Sequence, residues 1–229
     1  MTVPLPPLPP IGDDESYRPG GRSVLDILTE EHEQIVALCR ELTDAGTSVE
    51  RRREVAEVVA ATLTRHLSAE QQYLHPAVRA VVGDGAAVVD RQAGADRAME
   101  DALQELLDSD PDELEFGRLA ERVAGEVHRH VTAATQDIFP GLRAGASEAE
   151  LIRLGNRVEI AEEAAPTRPH PDVPNSPHWN KLVDPALGVV DKVRDAVTGR
   201  PTYAEDLADD DASESTVTDG RSERNLRTT

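Results

Sequence analysis

From Ser23 onward the chain alternates apolar and polar residues at helical spacing. Ser23 is a natural N-cap, and Val24, Leu25, Leu28, His32, Ile35 and Leu38 follow at steps of three and four, so they share one face. Thr47-Ser48-Val49-Glu50 has the form of a capping box, and the helix it opens is predicted to run to about His75, where Pro76 ends or kinks it. Gly83-Asp84-Gly85 is a turn, and a third helix is predicted over about 86–108. Asp110-Pro111-Asp112-Glu113 has the order cap, first-turn proline and capping acid, which predicts a fourth helix running to about Phe139. Ser147-Glu148-Ala149-Glu150 opens a shorter fifth helix to about Ala164. Short loops between long amphipathic helices place sequence neighbours antiparallel. The expected fold class is therefore all-α: an up-down-up-down four-helix bundle over 23–164, with a short accessory fifth helix.

The flanks are different. Residues 1–22 are rich in proline and glycine and are expected to be a disordered arm. Residues 165–203 combine a proline-rich linker, PTRPHPDVPNSP, with a short amphipathic helix at about 185–198 that carries Leu187, Val190, Val193 and Val197 on one stripe. Residues 204–229 are acidic and polar and are expected to form a disordered tail.

One segment occurs twice. RHLSAEQQYLHP (65–76) returns as RHVTAATQDIFP (129–140), with five of twelve positions identical. The shift of 64 residues places His66 on His130 and also His32 on Asp96. The bundle is thus two helical hairpins of one plan, each with a polar side chain on its first helix and a histidine 34 residues later on its second. His66 and Glu70, four residues apart, lie on one helix face, whereas the second hairpin has Ala134 at the matching position. If all these positions face inward, His32, His66, Glu70, Asp96 and His130 converge in the bundle core. Imidazole and carboxylate are ligands for iron, manganese or zinc. A lone histidine on an apolar helix face is more often a hydrogen-bonded core residue; the repeated spacing is what favours a metal site over that explanation.

Composition narrows the options. There are 44 acidic against 24 basic residues, a net charge of −20, which gives no electrostatic reason to bind nucleic acid or an anionic membrane. Aromatics are 3 % of the chain, so the core must be built from aliphatic residues. Cys39 is the single cysteine, which excludes an intrachain disulfide and points to a cytoplasmic location. No apolar run approaches the ~20 residues of a membrane span, and the N-terminus lacks a secretory pattern. No serine or cysteine nucleophile pairs with a base, and no phosphate-binding loop occurs. His128, two residues from His130 and so about 200° round the helix, is expected in solvent. Tyr73 and Cys39 are expected in the core, and His170 and His178 in the linker give a weak metal signal.

These residues resemble the hemerythrin-like family, the HHE cation-binding domains. That family has histidine on the first helix, His-x-x-x-Glu on the second, histidine on the third and His-x-x-x-Glu or Asp on the fourth. Its paired motifs end in an aliphatic-aromatic-proline turn, here Leu74-His75-Pro76 and Ile138-Phe139-Pro140. The resemblance implies a non-haem di-iron site that binds or senses oxygen, nitric oxide or peroxide. His32, His66, Glu70 and His130 match; Asp96 stands for the third-helix histidine and Ala134 for the fourth-helix carboxylate. The departures reduce the expectation to a weakened site, either one iron held by the four matching residues with Asp96 as a fifth ligand, or none. They also argue against an enzyme with peroxide or nitric-oxide chemistry, which needs an open, redox-active iron. The alternative is a metal-free bundle acting as a protein-interaction module.

Overall fold

The computed structural model describes residues 20–169, 191–192, 194–195 and 198–207. It is all-α. α1 (Val24–Thr43), α2 (Val49–Ala69), α4 (Gly85–Asp108) and α5 (Leu114–Ala133) form a closed ring in which α1 meets α2, α2 meets α4, α4 meets α5 and α5 returns to α1. α3 (His75–Val81) and α6 (Phe139–Gly145) prolong the second helix of each hairpin and touch each other. α7 (Glu148–Ala164) lies across α1 and α2. None of the described helices is long and apolar enough to cross a membrane.

The caps explain the starts. Ser23 Oγ accepts from the Leu25 N–H at 3.2 Å, and Ser48 Oγ accepts from the Arg51 N–H at 3.2 Å. Ser147 and Glu150 close a full capping box at α7. Asp110 departs from expectation. It accepts the Asp112 N–H at 3.1 Å and so shapes a turn, and the helix begins later, at Leu114. An aspartate beside proline can satisfy a turn as readily as a helix end.

The prolines do not end the second and fourth helices. Each helix widens to a π-turn, Glu70–Leu74 and Ala134–Ile138, and continues. The His75 N–H donates to the Glu70 carbonyl and the Phe139 N–H to that of Ala134, one residue further than in an α-helix. Pro76 and Pro140 follow directly. Widening the turn ahead of a proline relieves the clash of its ring with the carbonyl four residues back. The internal repeat thus includes its irregularity.

Two apolar clusters fill the bundle. One holds Ile35, Leu63, Met99, Leu103, Phe116 and Val123; the other holds Leu28, Leu74, Val78, Ile138, Leu142 and Val158. His32, His66, Asp96 and His130 fall along the helices between members of the two. Gly155 of α7 lets the chain entering α1 come close, since a Cβ there would stand 2.4 Å from the Arg22 carbonyl oxygen.

The C-terminal boundary differs from expectation. The tail expected from 204 begins with residues that pack on α2: Leu207 is 3 % exposed and joins the first apolar cluster. Arg51 Nη1 donates to the Leu207 carbonyl at 2.7 Å, and Arg65 Nη2 donates to that of Thr202 at 2.7 Å with its guanidinium 4.3 Å from the Tyr203 ring centre. Arg200 pairs with Glu57 and donates to the Thr167 carbonyl at 3.0 Å. Three α2 side chains that face outward in the bare bundle thereby gain partners that the local pattern of an acidic segment does not reveal. Of the expected 185–198 helix, the described residues Asp191, Lys192, Arg194, Asp195 and Thr198 are helical. Residues 1–19, 170–190 and 208–229, with His170 and His178, lie outside the described residues.

Leu207→Ala is expected to lower stability by about 2 kcal/mol, the low end for a buried leucine because the segment can shift into the gap. Arg200→Ala should also destabilise. Urea unfolding of both variants checks this; unchanged midpoints would mean the segment is not part of the folded unit.

Candidate metal centre

Four side chains from three helices meet between the apolar clusters. His32 projects from the middle of α1, His66 from the last turn of α2, Glu70 from the start of the π-turn and His130 from the last turn of α5. All four are buried, with exposures of 3 %, 1 %, 1 % and 3 %. His32 Nε2 and His66 Nε2 are 3.2 Å apart, as are His66 Nε2 and His130 Nε2. Glu70 places Oε1 3.5 Å from His66 Nε2 and Oε2 3.5 Å from His130 Nε2. One donor atom from each of the four lies within 4.8 Å of all the others.

The outer ring edges fix how these nitrogens behave. His66 Nδ1 is 2.9 Å from Glu31 Oε2, so that nitrogen carries the proton and Nε2 presents its lone pair inward. His130 Nδ1 has a donor and an acceptor beside it: Gln92 Nε2 at 2.6 Å and Asp96 Oδ1 at 3.5 Å, with Gln92 Nε2 also donating to Asp96 Oδ1 at 3.2 Å. Either tautomer of His130 is therefore served. His32 is fixed by stacking on Phe139, with ring centres 5.9 Å apart and planes 8° apart. A histidine ligand whose far nitrogen meets a carboxylate is the usual support of a metal site.

Burial sets the charge state. His32 is pushed down to about 2 and His66 to about 3, first by desolvation and then by neighbouring imidazoles. Desolvation lifts the Glu70 carboxyl to about 8. His130 moves the other way: burial lowers it, but Glu70 and Asp96 together outweigh burial and raise it. His130 is therefore the most basic of the three cluster imidazoles. Two neutral imidazoles, one neutral acid and unsatisfied inward atoms remain. Glu70 Oε1, 1 % exposed as a residue, makes no hydrogen bond, nor does His32 Nδ1. Buried polar atoms without partners are costly. A cation among the three Nε2 atoms and Glu70 gives Glu70 Oε1 its missing partner, and the spacing suits one: ligands about 2.0–2.1 Å from a tetrahedral ion stand about 3.3 Å from one another.

Asp96 is fully buried but lies beside His130 Nδ1, on the ring edge away from the cluster, and is not one of the four convergent residues. Ala134, 1 % exposed, belongs to the second apolar cluster, so an apolar surface occupies the place of the second carboxylate. The repeat shows a linked change. The 64-residue shift that carries His32 to Asp96 carries His75 to Phe139. Both pairs cross from one half to the other: His32 stacks on Phe139, and His75 Nε2 lies 3.9 Å from Asp96 Oδ2. A histidine–aromatic pair is matched by an acid–histidine pair.

Glu31 and Gln92 escaped the sequence reading. Gln92 precedes Asp96 by one turn on the same face, a spacing open to detection. Glu31 gave no such signal, since it lies among the acids of EEHEQ and its repeat partner is Ala95. His128 is exposed; Tyr73 and Cys39 are buried, and burial pushes the Cys39 thiol up to about 12, which makes it inert.

The fold and cluster define an all-α bundle with a buried histidine–carboxylate group suited to a metal ion. The Hemerythrin HHE cation binding domain matches residues 23–142, and the chain belongs to that family. An uncharacterized hemerythrin-like protein of Schizosaccharomyces pombe is 21 % identical over 140 residues, covering 61 % of this chain and 69 % of the relative. The crystal structure of a hemerythrin HHE cation binding domain-containing protein from Mycobacterium kansasii shares the fold. Its TM-score is 0.55 at 21 % identity, over 62 % of this chain and 86 % of that one.

In metal-free protein, the pH dependence has two limbs. His32 and His66 titrate at about 2 and about 3 when folded, against 6.5 unfolded, so their contribution is whole above pH 6.5 and is lost as pH falls toward 3. Glu70 titrates at about 8 when folded against 4.5 unfolded; its contribution is whole below pH 4.5 and is lost as pH rises toward 8. Glu70→Gln removes only the second limb. The variant should gain on its parent between pH 5 and pH 8, by on the order of 1 kcal/mol per pH unit at most. Urea unfolding in chelator at both pH values measures it, and a constant difference would mean Glu70 is ionised in the folded protein.

Proposed function

We propose that this protein binds a single non-haem iron ion through His32, His66, Glu70 and His130, and through it a small oxidant such as oxygen, nitric oxide or peroxide. The observation that supports this most directly is the convergence of three buried Nε2 atoms and an unpartnered carboxylate oxygen on one point. Nitrogen and oxygen donors of this kind suit iron, and manganese or zinc as competitors. Bound iron supplies a redox change and a coordination position open to a small ligand.

The chain's own residues do the rest. Glu31 holds the His66 proton on Nδ1, which keeps Nε2 free. Asp96, 3.5 Å from His130 Nδ1, takes that nitrogen's proton as a hydrogen bond once Nε2 is given to the ion, and Gln92 Nε2 holds Asp96 in place by donating to its Oδ1. Phe139 blocks rotation of His32. Glu70 ionises on binding and offsets one of the ion's charges; Glu31 and Asp96 stand behind two of the imidazoles and temper the remainder. A second ion has no such compensation, because Ala134 offers no carboxylate and Asp96 is turned to the far edge of His130. Uncompensated charge in a poorly solvated cavity is what limits the site to one ion. The apolar clusters on either side favour small, uncharged molecules over bulky substrates.

Reconstitution with ferrous iron under anaerobic conditions, followed by elemental analysis, should give one equivalent per chain. His66→Ala should bind none, and Glu31→Gln should bind 10–100-fold more weakly, roughly the usual effect of losing the carboxylate behind a ligand histidine. Absence of bound iron in the parent overturns the proposal.

Ala134→Glu with Asp96→His supplies the two missing family ligands, and the pair should raise the stoichiometry toward two. One equivalent in both proteins would mean these two positions are not what restricts the site.

A further inference from the structure

His66 faces two ways. Its Nε2 belongs to the inner cluster, and its Nδ1 belongs to a second group with Glu31 and Glu162, whose ligand atoms also lie within 4.8 Å of one another. This outer group is not sealed. It lies in the wall of a cavity of about 710 Å³ between α1, α2, α7 and the C-terminal segment. Exposure falls along that wall: Glu30, Glu159, Glu163 and Glu205 are exposed, Glu31 and Glu162 are half-buried, and His66 is buried. The six glutamates face two arginines, Arg22 and Arg65, so the cavity is acidic on balance. Arg65 is engaged elsewhere by the Thr202 carbonyl and the Tyr203 ring.

We propose that Glu31, Glu162 and His66 Nδ1 form an outer capture site for a divalent transition-metal cation, through which the cation reaches the inner group. The onward transfer rests on the inner cluster being a metal centre; capture at the outer site does not. Two carboxylates and an imidazole nitrogen are suitable donors for such an ion. The Glu31 and Glu162 side chains are hydrogen-bonded to each other, which sets two carboxyl groups side by side next to His66 Nδ1. A neutral imidazole has a single lone pair. An ion on Nδ1 puts the ring proton on Nε2, and an ion on Nε2 puts it on Nδ1 facing Glu31. His66 therefore serves one site at a time, which makes the outer site a waypoint and the inner site, with three nitrogens, the destination. The acidic wall raises the local concentration of cations.

Zinc is the probe, added to the full-length, chelator-treated protein. Glu162→Gln removes an outer ligand and no inner one. It should load its inner equivalent about tenfold more slowly than the parent and reach the same final stoichiometry. Glu115→Gln makes the same charge change outside the cavity and should load like the parent. His130→Ala disables the inner group; calorimetric titration should then show one weak equivalent that His130→Ala/Glu162→Gln binds at least tenfold more weakly. Glu162→Asp, which keeps the charge but shortens the reach, should weaken it by less. Loading of Glu162→Gln at the parent's rate, or weak binding in His130→Ala that does not depend on position 162, overturns the outer site. A parent with no tight equivalent overturns the inner centre, and the weak-binding comparison still decides the outer one.

Discussion

The structure turns on a layer of polar side chains buried between two apolar clusters. Three imidazoles and two carboxyl groups sit where a helical bundle would otherwise place leucine or valine, each nearly out of contact with water. Such a layer is tolerated only if its hydrogen-bonding groups are satisfied. Most of them are satisfied at their outer edges, by Glu31, Gln92 and Asp96. On the inner side the three Nε2 atoms meet only one another and Glu70 Oε1 has no hydrogen-bond partner, an arrangement that could hold a cation. The π-turns are placed by the prolines that follow them. Each begins four residues after a cluster histidine and shifts the register so that the helix passes its proline and continues into the second apolar cluster.

The two halves of the repeat have diverged in a correlated way. His32 with Phe139 and Asp96 with His75 occupy equivalent positions, and each pair fills its space by a different interaction. Asp96, at the position that matches His32, leaves no gap: it is fully buried against His130 and His75. Ala134 completes the change by extending the apolar cluster. The result is a pseudo-symmetric bundle around an asymmetric cluster, whose convergent side chains come from α1, α2 with its π-turn, and α5, while Gln92 and Asp96 of α4 lie behind His130.

Access is asymmetric too. The side of His66 that faces Glu31 opens toward an acidic cavity, whose walls include Tyr203 and Glu205 of the C-terminal segment. That segment is held to α2 by Arg51, Arg65 and the Arg200–Glu57 pair, and by burial of Leu207. The tail region is thus partly structural, and it forms part of the wall of that cavity.

The sequence by itself determined the helices, their antiparallel order, the repeat and, of five residues expected to converge, four: His32, His66, Glu70 and His130, but not Asp96. These rest on local periodicity and on spacing along single helices, which one chain displays directly: His66 to Glu70 is one turn, and 34 residues separate His32 from His66 as they do Asp96 from His130. Other features required the tertiary structure. Which edge of His130 meets Asp96 depends on the rotation of α4 against α5. The pairing of Glu31 with His66 joins residues of different helices whose spacing carries no period. The docking of Leu207 depends on a groove that exists only once α2 is packed. Periodicity reports the face a residue is on; the contact it makes there is set by how two faces are turned toward each other, and the folded chain alone fixes that.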